Sequence, residues 1–333
     1  MRNWLLGIAL GVSVAGSAAQ TASQPQSGYE RAARATVLHT TNVYVGADPQ
    51  SQRITTMLPG RELIIEQKSG DWLKVFANTD VQEQREEEIP EFTESEETPP
   101  KSGWIRNKGV VGPQTPDGDR ILYGAAVIAE TAASQPHAPK SAAASAYLLY
   151  RRAAEYFPQS PLAGEAEWRS ADIRWQIEKA DNRTLPSAKE MDPNARPPQY
   201  DAALKRIVKQ RPGTKYAALA AYDLLDAKLC GDWQGLPKCP QMESEVYEKY
   251  ASQYPDGPKT AEALWNAAYR QGVLVSMYEV DENRKRVEVA TKHAHELVDQ
   301  LKAKFSSSDY AARGDALIYR IEQGIPIYGN DRD

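Results

Sequence analysis

A turn that recurs four times constrains this chain more than any other feature. From Tyr247 to Ala268 the sequence runs YEKYASQYPDGPKTAEALWNAA. One helical stretch ends near Tyr254, Pro255-Asp256-Gly257-Pro258 breaks it, and a second helical stretch begins at once. The turn prolines Pro158, Pro212 and Pro255 stand 54 and 43 residues apart, and Ser306 holds the equivalent place 51 residues further on. Phe157, Arg211, Tyr254 and Phe305 come just before these positions. Ala163, Ala217, Thr260 and Ala311 come five residues after, and Ala166, Ala220, Ala263 and Gly314 eight after. Small residues at fixed offsets let two helices approach closely, and proline suits a helix start because its missing N–H had no partner there.

The flanking segments carry the helical period. Val287, Ala290, Ala294, Leu297 and Leu301 step by three or four, as do Leu162, Ala166, Ile173 and Ile177 over part of their run. The pattern predicts helix pairs at Ser141–Phe157 with Leu162–Ala180, Tyr200–Gln210 with Lys215–Leu229, Met242–Tyr254 with Lys259–Tyr278, and Glu282–Phe305 with Asp309–Gln323. Each pair leaves apolar surface that only a neighbouring pair can cover, so residues 141–324 are expected to stack into a curved all-α array, with 325–333 as a tail. Asp181 to Pro198 and Gly231 to Pro240 read as insertions between pairs.

Upstream the period is two. Val37, Val43 and Val45 alternate with polar residues, and ELIIE (62–66), WLKV (72–75), Gly103-Trp104-Ile105 and Val110-Val111 follow, punctuated by Pro59-Gly60 and Ser69-Gly70-Asp71. Short strands separated by turn residues predict a small barrel over residues 36–112. Residues 77–102 interrupt it with Glu83, Glu86, Glu87, Glu88, Glu91, Glu94, Glu96 and Glu97 among prolines. Such a run cannot bury a core and reads as a solvated loop, or as an acidic arm for a basic partner. Gly112 to Gly118 (GPQTPDG) reads as a linker at the domain boundary, and residues 113–140 form a linker region with a lead-in helix near Arg120–Ala132.

The landmarks Asn42-Val43, Leu58-Pro59-Gly60, Gly70-Asp71-Trp72-Leu73-Lys74-Val75 and Gly103-Trp104-Ile105 resemble those of a bacterial SH3-like domain. In that family a short hairpin usually joins the last two motifs. The aromatic-Pro turns followed by Ala-rich helices resemble tetratricopeptide repeats of the divergent periplasmic kind, such as the outer-membrane assembly lipoproteins of the barrel-assembly machinery. The repeats here exceed the usual length near 34 residues, and the lipid-anchor Cys of those lipoproteins is missing. The expected fold is a small all-β SH3-like barrel followed by an all-α helical-hairpin solenoid.

Residues 1–19 read as a secretory signal: Arg2, an apolar run from Trp4 to Val14, and Ser17-Ala18-Ala19. Gln20 to Ala35 reads as a flexible tether. The mature chain is then expected to be exported, periplasmic or secreted, with no integral membrane segment. A formal net charge of −5 gives no electrostatic case for nucleic acid.

The two cysteines, Cys230 and Cys239, flank a short loop, and in an exported chain such a pair predicts a disulfide. A catalytic Cys would need a basic His and an orienting group. His293 and His295 lie two apart on a helix, about 200° around its axis, so they cannot chelate one metal from it. No phosphate-binding glycine motif occurs. The expectation is an adaptor without enzymatic activity, cofactor or metal. Its aromatics are the candidate ligand contacts: Tyr44, Trp72 and Trp104 on the barrel, and Tyr147, Tyr150, Trp168, Trp175, Tyr222, Trp265 and Tyr269 on the array, each either core or groove. Partner proteins are expected on the array, and peptidoglycan or a peptide on the barrel. Outer-membrane protein assembly and service to a cell-wall hydrolase are the alternatives.

Overall fold

The computed structural model describes residues 33–81, 100–184, 200–230, 233 and 235–329. The expected signal, most of the tether and the acidic run at 82–99 lie outside the described residues.

Seven strands come first: β1 Ala33–Val37, β2 Thr41–Tyr44, β3 Arg53–Met57, β4 Glu62–Ser69, β5 Trp72–Ala77, β6 Lys101–Arg106 and β7 Val110–Val111. They form one antiparallel sheet in the order β3-β2-β6-β5-β4-β1-β7, curled into a half-barrel. Alternation along the strands sends Val37, Val43, Leu63, Leu73, Val75 and Ile105 into its core. The curl brings β6 close under β2: a Cβ on Gly103 would sit 2.6 Å from Val43 Cγ1 and 2.7 Å from the Tyr44 carbonyl oxygen, so only glycine fits. Strand pairing starts earlier than the sequence predicts. Ala33 pairs with Ile65, which moves the last three residues of the expected tether into β1. Val45, counted among the alternating apolar residues, lies beyond the end of β2 and is exposed.

Nine helices follow among the described residues: α1 Gly118–Ala133, α2 Ala142–Tyr156, α3 Ala163–Thr184, α4 Ala202–Gln210, α5 Lys215–Asp223, α6 Lys238–Gln253, α7 Thr260–Val280, α8 Arg284–Phe305 and α9 Asp309–Glu322. Each of the four turns separates one helix from the next. Ser160, Thr214 and Ser308, two residues past the turn position, accept from the backbone N–H groups of Leu162, Ala217 and Ala311 at 3.2, 3.3 and 3.2 Å. These hydroxyls satisfy amide donors that a helix start would otherwise leave open. Consecutive helices pack together, α2 on α3, α4 on α5, α6 on α7 and α7 on α8, and α9 closes on both α7 and α8.

Three boundaries differ from expectation. α3 runs on to Thr184, four residues past the expected end at Ala180 and into the expected insertion. α5 stops at Asp223 rather than Leu229, because the chain tightens into a 3₁₀ turn at Asp226–Lys228. α6 starts at Lys238 instead of Met242. Pro240 in its first turn removes an amide that had no intrahelical partner there, so the helix loses nothing by including it. Past α9 the expected tail folds back. Ile327 is buried, its amide donates to Ser276 Oγ at 2.8 Å, and Tyr269 donates to the Tyr328 carbonyl at 2.6 Å.

Sheet and helices meet at a buried ionic joint. Arg152 on α2 is 1 % exposed. Its Nη2 donates to Asp80 Oδ2 at 2.8 Å and its Nε to the Gly60 carbonyl at 3.1 Å, with Glu62 Oε1 at 3.6 Å from Nη1. Asp80 and Glu62 are equally buried. Gly60 has φ +85°, and a Cβ there would lie 2.5 Å from Leu148 Cβ on α2. An apolar seam continues the joint, where Val111 and Leu38 pack with Leu122, Leu149, Tyr150 and Ala153.

Candidate functional site

The second helices of the first three hairpins, α3, α5 and α7, carry an aromatic ring ten residues after the turn proline: Trp168, Tyr222 and Trp265. The same register places all three on one cleft of about 500 Å³. α9 closes its far end with Tyr310 and Arg313. The cleft is the one place where the described structure gathers three of the predicted array aromatics.

Charge is dense around these rings. Asp172 and Lys179 come from α3, Asp223 from α5, Asp226 from the 3₁₀ turn, and Lys259 and Glu262 from the start of α7. Lys179 pairs with Asp226, and Lys259 Nζ lies 2.7 Å from Glu262 Oε2. Lys259 also stands 5.4 Å from the Tyr222 ring centre, and Asn266 donates to the Tyr222 hydroxyl at 3.2 Å. Asp223 accepts from Trp168 Nε1 at 3.2 Å, and Asp172 from Gln176 Nε2 at 3.1 Å. Burial first, and then the charge of Asp172, push the Asp223 carboxyl up to about 7, while the Trp168 hydrogen bond works the other way. Burial also raises Asp172.

The described lining contains no His, Cys or Ser. Among the described residues, no group of three or more His, Cys, Asp or Glu is arranged to hold a metal ion. What the cleft offers is ring faces, carboxylates and a carboxyl that titrates near neutrality.

The remaining array aromatics divide among other environments. Tyr150 is fully buried and donates to Glu130 Oε2 at 2.6 Å, with Arg169 beside it. Trp175 is buried among Leu204 and Ile207, and its Nε1 has no hydrogen-bond partner. Tyr269 holds the C-terminal segment. Tyr147 lines a separate pocket of about 300 Å³ with Arg151, Arg174, Tyr200 and Arg211.

On the half-barrel, Tyr44, Trp72 and Trp104 come together, but outside the core. Trp104 pairs across the sheet with Tyr44 and Lys74, and Trp72 pairs with Arg106, whereas Leu73, Val75 and Ile105 alternate to the inner face. Tyr44 meets Trp72 edge-on at 6.1 Å, and the Arg106 guanidinium covers the Trp72 ring at 4.2 Å. Trp72 is thereby buried under its neighbours, while Tyr44 and Trp104 stay partly exposed.

Cys230 and Cys239 are joined in a disulfide, with Cα atoms 5.9 Å apart. Sequence reasoning missed what this bridge surrounds. Glu243 on α6, fully buried, accepts from Cys230 N at 2.9 Å, Trp233 Nε1 at 3.0 Å and Arg270 Nε at 3.1 Å. Arg270, on α7 and also fully buried, lies 5.2 Å from the Tyr247 ring centre and 5.7 Å from that of Trp233. Arg270 sits in an otherwise apolar stretch of α7, AAYRQGVLV, which was the available signal; Glu243, in the charged run MESEVYEK, offered none. His293 faces Glu248 on α6 and His295 faces Glu322 on α9, so the two rings serve different helices. No helix among the described residues is long and apolar enough to cross a membrane.

Neither a family model nor a curated protein matches the chain.

Proposed function

We propose that this chain is an exported, non-enzymatic adaptor of the cell envelope. Its N-terminal half-barrel is read as an SH3-like domain and its helices as a tetratricopeptide-like array that grips a protein partner. The observation that carries the reading is the cleft: Trp168, Tyr222 and Trp265 occupy one register position in three successive hairpins and line a common groove. Repeat arrays use such stripes to take an extended polypeptide. The disulfide suits an oxidising compartment, as the N-terminal sequence implies. The outer-face aromatics Tyr44 and Trp104 are the second contact, to cell wall or peptide.

Two experiments test the reading. A photo-crosslinking residue in place of Gln176, which lines the cleft, should trap a discrete polypeptide in the native cell, and the same group in place of exposed Val289 on α8 should not. Equal capture at both positions sinks the groove. For the half-barrel, the intact chain should co-sediment with peptidoglycan, and Tyr44→Ala/Trp104→Ala should release it. Point variants serve better than removing the sheet, because its removal would uncover Arg152 and Leu148. If the intact chain stays in solution, the wall reading fails and the search moves to proteins that touch this face.

A further inference from the structure

Resting on the reading of the cleft as a polypeptide groove, we propose that its anchor is cationic: a Lys or Arg side chain of the partner, seated among Trp168, Tyr222 and Trp265 against Asp172 and Asp223. The charges of the cleft are unequally matched. Lys179 and Lys259 already pair with Asp226 and Glu262. Arg313 lies over the Tyr310 ring, 5.4 Å from its centre. Asp172 and Asp223 have only neutral donors, Gln176 and Trp168. Two half-buried carboxyls without a cation of their own, beside the faces of large rings, form the environment in which an ammonium or guanidinium is held by charge and by ring quadrupoles together. An anionic ligand would meet repulsion there. The absence of a metal-spaced donor group among the described residues favours an organic cation over a metal ion.

The site carries its own pH signature. A bound cation favours the ionised carboxylate, and Asp223 in the free protein is half-protonated near pH 7. Binding below that pH must expel a proton, so affinity climbs from pH 6 to pH 8 and levels off above. Of the charges around Asp223, Asp172 from α3 and Asp226 raise its carboxyl and Lys259 from the α7 entry lowers it; Tyr250 from α6 also feels its charge, and Lys179, Glu262, Tyr247, Tyr310 and Arg313 line the same cleft.

The test uses pentalysine and pentaglutamate against the intact chain, at pH 6 and pH 8 and constant ionic strength, read by calorimetry and by the fluorescence of the cleft tryptophans. Pentalysine should bind, more tightly at pH 8, and pentaglutamate should not. Asp172→Asn/Asp223→Asn should weaken pentalysine by roughly tenfold or more and flatten the pH dependence. Asp315→Asn, which removes one exposed negative charge on α9, should change neither. The asparagines keep shape and hydrogen-bond acceptors; Trp168→Phe, which keeps an aromatic ring and removes the donor to Asp223, is a second probe and should shift the pH at which affinity rises. Equal binding of the two peptides, or pentalysine affinity unchanged in the double variant, overturns the proposal. A crosslink from position 176 without pentalysine binding overturns the cationic anchor and leaves the groove reading standing. Pentalysine binding that depends on Asp172 and Asp223, without a crosslink, upholds the anchor chemistry and sinks the groove reading.

Discussion

Two residues show how burial turns charge into either a lock or a liability. Arg152 is the lock. Replacing it with Met would leave Asp80 and Glu62 buried with only the longer, more exposed contacts to Arg61 and Arg34, each at 3.4 Å, and the expected loss is about 3 kcal/mol, the low end for breaking a buried pair; urea unfolding of the two proteins measures it. Asp223 is the liability. Its folded-state carboxyl is raised from an ordinary value of 3.8 to about 7, so the folded chain holds this proton more tightly than the unfolded chain does. Stability therefore falls as pH climbs from about 4 to about 7 and is flat above. Asp223→Asn should remove that slope and gain on wild type across the same window, by on the order of 2–4 kcal/mol. Parallel stability curves for the two proteins between pH 4 and 8 would refute the assignment. The ring positions of this site were legible in the sequence, because Trp168, Tyr222 and Trp265 share a repeat offset. The carboxyl pair was not. Asp172 and Asp223 lie on different hairpins, and only the rotation of α3 against α5 brings them to one cleft.

At the scale of the element, the helices could be read from their periodicity and their turns, whereas the ends set by tertiary contacts could not. α6 is the clearest case. Its start is held by a bridge to Cys230 and by Glu243, which gathers Cys230 N, Trp233 and Arg270 into one buried cluster. Local propensity says nothing of such a cluster. Cys230→Ser/Cys239→Ser should cost about 2–3 kcal/mol. The loss should be local first, with amide exchange at Cys230 and Trp233 accelerating before the rest of α6 and α7. Uniform acceleration across all helices would contradict this view of the bridge. The C-terminal segment makes the same point. Ile327 and the Ser276 hydroxyl fix it to α7, where an adjacent Gly272 leaves room: a Cβ there would meet Leu317 at 2.8 Å and Ile327 at 3.0 Å. Gly272→Ala should loosen that segment, seen as faster protease cleavage after Arg320.

At the scale of the molecule, the sheet and the helical array share one apolar seam and one ionic joint, so they should unfold together in a single transition. Gly60→Ala strains both the turn and the contact with Leu148, and should lower that single transition; two separated transitions in the wild type would mean that the joint is weaker than its burial implies. A fused joint also fixes the spacing between the ring faces of Tyr44 and Trp104 and the groove of α3, α5 and α7. A partner that touches both surfaces is thereby gauged by length. A tether matching the span gains a high effective concentration for its second contact, a shorter one gains nothing, and a longer one loses the advantage steadily. Selectivity could then reside in a distance, with neither surface being highly discriminating alone.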